Sequence, residues 1–140
     1  GISGAVDFQS AVGATTALSS LQVTSSAGPI TFASTLDVSN AVILGAGSGS
    51  VNFDADVGSI TTLLSLAINT ADLGANFSGN VSAGTITITP IANFKGTSTL
   101  TGSSIIFGNA VNGPGSLTLD ALRLLLPMLL EVALLFQVFL

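Results

Sequence analysis

The stretch from Ala5 to Val23, AVDFQSAVGATTALSSLQV, decides the fold because it returns in the same chain as SVNFDADVGSITTLLSLAI, from Ser50 to Ile68. The two copies share apolar, glycine and hydroxyl positions. The identical pairs include Phe8/Phe53, Val12/Val57, Gly13/Gly58, Thr16/Thr61, Leu18/Leu63, Ser20/Ser65 and Leu21/Leu66. Self-similarity at a fixed spacing is typical of a repeat protein, in which each unit buries its apolar face against the next.

A shorter period lies inside the long one, because a Phe followed four residues later by Val or Leu occurs five times within residues 1–121. The pairs are Phe8/Val12, Phe32/Leu36, Phe53/Val57, Phe77/Val81 and Phe107/Val111. Successive Phe residues are 24, 21, 24 and 30 positions apart. This spacing predicts about five solenoid coils of 21 to 30 residues, with the five Phe rings at equivalent interior places.

The same spacing predicts how the strands pair. A β-meander with hairpin turns would return an equivalent side chain about every 10 residues, far sooner than the 21 to 24 seen here. Parallel stacking fits, and β-crossover-β connections are almost always right-handed. We therefore predict an all-β, right-handed parallel β-helix. The segment from Pro90 to Thr101 lengthens the fourth coil, and Phe94 within it belongs either to a partial extra rung or to a bulged loop.

The composition limits the function. Only 6% of the residues are charged, the net charge is −5, and Lys95 and Arg123 are the only cations. Binding of nucleic acid requires a basic face, so it is excluded as a function. The chain has no Cys and no His, which removes thiolate metal sites and the commonest nucleophiles and bases. We expect no enzymatic activity and no cofactor.

Asp54 and Asp56 are the only candidate site residues. Two positions apart on a strand, they would share a face with Asn52, and hard oxygen ligands of this kind can hold Ca²⁺. They are also the only carboxylate pair that a glycosidase mechanism could use. The equivalent positions in the first copy are Gln9 and Ala11. We therefore expect solvated surface carboxylates, with Asp54 and Asp56 as weak candidates for a metal site.

The units AVDFQSAVGATTALSSL and VNGPGSLTLDA resemble the filamentous-haemagglutinin-like β-strand repeats of large bacterial surface and secreted proteins. The resemblance covers Gly1 to Ala121, and no binding residue transfers with it. It implies a right-handed β-helix, export to the cell surface, and a role as an adhesin shaft or extracellular scaffold. The expected partners are neighbouring coils of a longer chain, of which this sequence is a fragment, and a host or neighbouring cell surface.

The alternative function is a carbohydrate-active or ligand-binding β-helix domain. Such a domain would use aromatic side chains in a groove to stack on sugars. The sequence has no Trp and no Tyr. This absence favours the shaft.

The tail from Leu122 to Leu140, LRLLLPMLLEVALLFQVFL, breaks the repeat pattern and predicts an apolar helix, so we place a boundary between residues 121 and 122. Three interpretations are open: a membrane anchor, which Arg123, Pro127 and Glu131 disfavour, a cap over the end of the solenoid, and an out-of-frame translation product. One permitted coding of the tail, when read two bases later, gives SATFANAVGGSTALSSF. Because this is the repeat unit again, we favour a frame shift at or near Ala121, and a membrane partner is not expected.

Overall fold

The computed structural model describes residues 3–125, with side chains described as far as Ala121. Twelve β-strands form two parallel sheets of six strands each. The short-strand sheet contains β1 (Val6–Phe8), β3 (Ile30–Phe32), β5 (Val51–Phe53), β7 (Ala75–Phe77), β9 (Ala92–Phe94) and β11 (Val111–Asn112). The long-strand sheet contains β2 (Leu21–Thr24), β4 (Ala41–Gly45), β6 (Leu63–Thr70), β8 (Val81–Ile88), β10 (Ser98–Phe107) and β12 (Leu117–Leu125).

Each strand pairs in parallel with its equivalent one coil away, so the predicted all-β parallel β-solenoid is confirmed. The order in the short-strand sheet is β1-β3-β5-β7-β9-β11, and the even-numbered strands follow the same succession. The inward side chains are apolar and most of the outward ones are small or polar, although Ile43 in β4 and Leu64 in β6 are exposed. In β8, for example, Ile86 and Ile88 are fully buried, whereas Thr85 is exposed, as the alternation of Ile and Thr predicts.

Residues 3–125 form a solenoid of about six turns, so the predicted number of about five is not confirmed. The register of the short-strand sheet gives coils of 24, 21, 24, 17 and 19 residues between successive equivalent positions. The coil that was expected to be 30 residues long is therefore a coil of 17 residues followed by the start of another. Phe94 lies on a complete rung, because it pairs with Phe77 in the sheet.

A column of stacked Phe rings fills the interior behind the short-strand sheet. Phe8, Phe32, Phe53, Phe77 and Phe94 follow one another with ring centroids 4.7, 5.3, 5.3 and 5.1 Å apart. Phe8, on the first coil, is half-buried, whereas the other four are at most 2% exposed. The predicted interior ladder is thus correct for its first four members.

Phe107, the predicted fifth member of the ladder, lies in the long-strand sheet and not in the short-strand sheet with the others. Phe107 is buried, but it ends β10 and pairs with Ile88 in the long-strand sheet. Its ring meets that of Phe94 edge-on, at 6.4 Å and 80°. The place after Phe94 in the column goes to Gly113, which follows Asn112, the partner of Asn93. The spacing of Phe107 and Val111 misleads because both sheets present apolar residues to one shared core.

The predicted C-terminal helix is wrong for its first four residues. Residues 122–125 continue β12, and their backbones pair with β10 through Ser104↔Arg123, Ile105↔Leu124 and Ile106↔Leu125. β10 spans ten residues and offers a long edge, so the chain gains ladder hydrogen bonds by remaining extended. The rest of the tail, with the predicted burial or exposure of its leucines, lies outside the described residues. Residues 3–125 include no helix that is long and apolar enough to cross a membrane.

Candidate functional site

The cross-section of the solenoid changes between the third and fourth coils. Val57 and Val81 form a β-bridge, and Leu66 and Ile86 are partners further along the same two coils. In the third coil Leu66 follows Val57 by nine positions, whereas in the fourth coil Ile86 follows Val81 by only five. The additional residues have no equivalent beneath them and must project from the column. We call residues 58–62 the ledge loop.

A buried carboxylate from the coil before holds the ledge loop in place. Asp37 is 0% exposed, and its Oδ1 accepts hydrogen bonds from the backbone N–H groups of Ile60 at 2.8 Å and Thr61 at 3.0 Å. Its other oxygen, Oδ2, is buried without a hydrogen-bond partner among the described residues. Hydrogen bonds to a charged acceptor are stronger than neutral ones, so Asp37 fixes a loop whose side chains, such as the 69% exposed Ile60, otherwise face solvent.

The step groove lies under the ledge loop, where the shorter fourth and fifth coils leave space. It has a volume of about 430 Å³. Its polar lining comes from three coils and consists of Asp56, Ser59, Thr62, Asn80, Ser82, Thr99 and Thr101. Val57 and Val81, which are both buried, form its base.

Hydrogen bonds between coils hold the groove wall together. Asp56 Oδ1 accepts from the backbone N–H of Asn80 at 2.8 Å, and Asn80 Oδ1 accepts from that of Thr99 at 2.9 Å. The hydroxyls of Thr62 and Ser82 are 3.2 Å apart and hydrogen-bonded across the groove. Gly79 makes room for this arrangement, because a Cβ there would lie 2.5 Å from Asp56 Oδ1. Within residues 3–125, Asp56 is the only ionisable residue in this lining.

The structure separates the two candidate carboxylates. β5 ends at Phe53, so Asp54 and Asp56 follow the strand instead of alternating along it. Asp56 lines the step groove, whereas Asp54 is exposed and does not line it. Among the described residues, no group of three or more His, Cys, Asp or Glu is placed to hold a metal ion. Calcium binding and a glycosidase role for this pair remain predictions only.

Asn52, the expected third ligand, belongs to a different arrangement. Its Nδ2 donates to Thr31 Oγ1 at 3.2 Å, and its Oδ1 accepts from Asn76 Nδ2 at 2.8 Å. Asn93 Nδ2 donates in turn to Asn76 Oδ1 at 3.1 Å. This asparagine ladder runs along the outside of the short-strand sheet, on the other side from the Phe column. Sequence analysis missed it, although an Asn-Phe dipeptide at residues 52–53, 76–77 and 93–94 signals it.

No protein-family model, curated protein or solved structure matches the chain. The resemblance to filamentous-haemagglutinin-like repeats therefore depends on the repeat residues alone. Three structural features therefore bear on the function of the chain: the Phe column, the asparagine ladder and the step groove.

Proposed function

We propose that this chain is a non-catalytic shaft segment of a large bacterial cell-surface or secreted adhesin. The observation that supports the proposal is the continuity of the column along its length. The Phe stack passes through five coils inside the short-strand sheet, and the asparagine ladder joins successive coils outside it. A column whose successive coils contact one another in this way sets a fixed distance between its ends, which is what a shaft requires.

Two further features support a structural role. Among the residues that the structure describes, a single carboxylate lines the step groove, whereas a glycosidase uses two, as acid and base or nucleophile. Many outward side chains are Ser, Thr or Asn, which hydrogen-bond to water or to the neighbouring coil. In this proposal the coils wind right-handed, neighbouring coils of a longer chain are the nearest partners, and a host or neighbouring cell is the distant one.

Cell-surface exposure tests the proposal. Antibodies raised against the purified chain are applied to intact and to permeabilised cells of the source organism, and the culture medium is blotted in parallel. We expect labelling of intact cells, removable by external protease, or protein in the medium. Labelling that requires permeabilisation, with none in the medium, would refute the extracellular shaft. An antibody against a cytoplasmic protein serves as the control for cell integrity.

A further inference from the structure

The step groove is preorganised. Its floor is made by paired strands, and its roof is the ledge loop that Asp37 holds through two backbone hydrogen bonds. Its volume, about 430 Å³, falls within the range of about 300–1,000 Å³ that is typical of small-molecule sites. The roof of the site thus does not have to be ordered when a ligand enters, which lowers the entropic cost of binding.

The groove wall has hydrogen-bonding capacity that the protein does not use. Asp56 Oδ1 and Asn80 Oδ1 each accept from a backbone N–H group. Within residues 3–121, no hydrogen bond involves Asp56 Oδ2 or Asn80 Nδ2, so the first can still accept and the second can still donate. The hydroxyls of Ser59 and Thr101 add groups that can both donate and accept.

The chemistry of the lining selects the ligand class. Among the described residues, the lining holds no cation that would balance an anion placed beside Asp56. A calcium ion takes about 6 to 8 oxygens, commonly from several carboxylates, and the described lining offers only one carboxylate. A ligand bearing several hydroxyls fits, because its hydroxyls can both donate to Asp56 Oδ2 and accept from Asn80 Nδ2. We propose that the step groove binds a neutral polyhydroxyl ligand, a saccharide or sugar terminus, through hydrogen bonds alone.

Binding is expected to be weak, because the groove is open and provides no aromatic face for stacking. A Kd on the order of 1 to 10 mM is appropriate for a monosaccharide held only by hydrogen bonds. The test is a titration of the ¹⁵N-labelled full chain with methyl glucoside, methyl mannoside and methyl galactoside, followed by amide chemical shifts. We expect saturable shifts at Ser59, Asn80, Ser82 and Thr101 with at least one glycoside.

Two variants with a matched control locate the site. Asp56→Asn keeps the oxygen that accepts from Asn80 N–H and removes the charge, and Thr101→Val removes an exposed hydroxyl without changing side-chain shape. Loss of a hydrogen bond to a charged group weakens binding about tenfold or more, so Asp56→Asn should raise Kd by that factor. Thr85→Val, an exposed position of β8 outside the groove, should leave Kd unchanged.

The proposal is wrong if no glycoside shifts these amides, or if Asp56→Asn and Thr101→Val bind as the unchanged chain does. A parallel titration with CaCl₂ distinguishes a cation site: shifts at the same amides with calcium, and none with glycosides, would also overturn it. Because the surface-exposure test measures location and this titration measures binding, the two proposals can fail separately.

Discussion

Phe53→Ala is the substitution that most directly tests the interior column. The ring of Phe53 is 1% exposed and lies between those of Phe32 and Phe77, each 5.3 Å away. Truncation of a buried Phe to Ala typically costs about 3 to 5 kcal/mol. Here two stacked pairs are lost as well, each contributing about 0.5 to 1.5 kcal/mol beyond area burial. We therefore expect a loss in the upper part of the range, about 4 to 5 kcal/mol.

The assay is urea unfolding of the purified chain followed by far-ultraviolet circular dichroism. Phe8→Ala is the matched control, because Phe8 is half-buried on the first coil and its ring stacks on one neighbour only, Phe32. We expect Phe8→Ala to lower the unfolding midpoint by less than half as much as Phe53→Ala does. Equal midpoints for Phe53→Ala and the unchanged chain, or a larger effect at Phe8, would refute the column as a source of stability.

Three further predictions concern hydrogen bonds and turns. Asn76→Asp removes the donor to Asn52 Oδ1 and should cost about 1 to 3 kcal/mol in urea unfolding, whereas Asn112→Asp, at the exposed last rung, should cost little. Asp37→Ala leaves two backbone N–H groups without their acceptor, so the amides of Ile60 and Thr61 should exchange hydrogen at least about tenfold faster, and unchanged exchange would contradict the role of Asp37. Gly58→Ala should lower the free energy of unfolding by at least about 1 to 3 kcal/mol, because φ is +74° and the new Cβ would lie 2.2 Å from Ser82 O. Gly4→Ala is the control and should be neutral, because no atom lies within 4 Å of the new Cβ. Similar thermal midpoints for the two variants would count against the strained turn.

The sequence contains enough information for the fold class and for most of the Phe column. The return of Phe8, Val12 and Gly13 as Phe53, Val57 and Gly58 requires a stacked repeat, and the structure places each pair two coils apart. Small changes in loop length do not erase this signal, because an interior position accepts few residues other than large apolar ones. The prediction of strands in register therefore succeeds without any knowledge of the corners.

The number of coils was harder to predict from the sequence than the fold class. Phe94 and Phe107 each follow Phe77 at a distance compatible with a coil, and the rule of a Phe followed four residues later by Val selects Phe107. The residue before each ring decides correctly. It is polar before all five stacked rings, where Asp7, Thr31, Asn52, Asn76 and Asn93 stand, whereas the apolar Ile106 precedes Phe107. An Asn side chain joins the outer ladder only when neighbouring coils place the amides within hydrogen-bonding distance. The sequence alone therefore does not show which Asn residues form the ladder.

The sequence by itself determined that this chain is a parallel solenoid with a Phe core, because burial imposes the same demand on every coil. Tertiary structure alone decided where the coils differ. The shorter fourth coil brings Asp56, Asn80 and Thr101, which lie on three coils, to one groove, and the stacking of the coils places Asp37 of the second coil against the ledge loop, on the side away from the groove. Such contacts join residues about 20 positions apart across unequal corners, and a shift of one residue in a strand would turn each side chain to the opposite face.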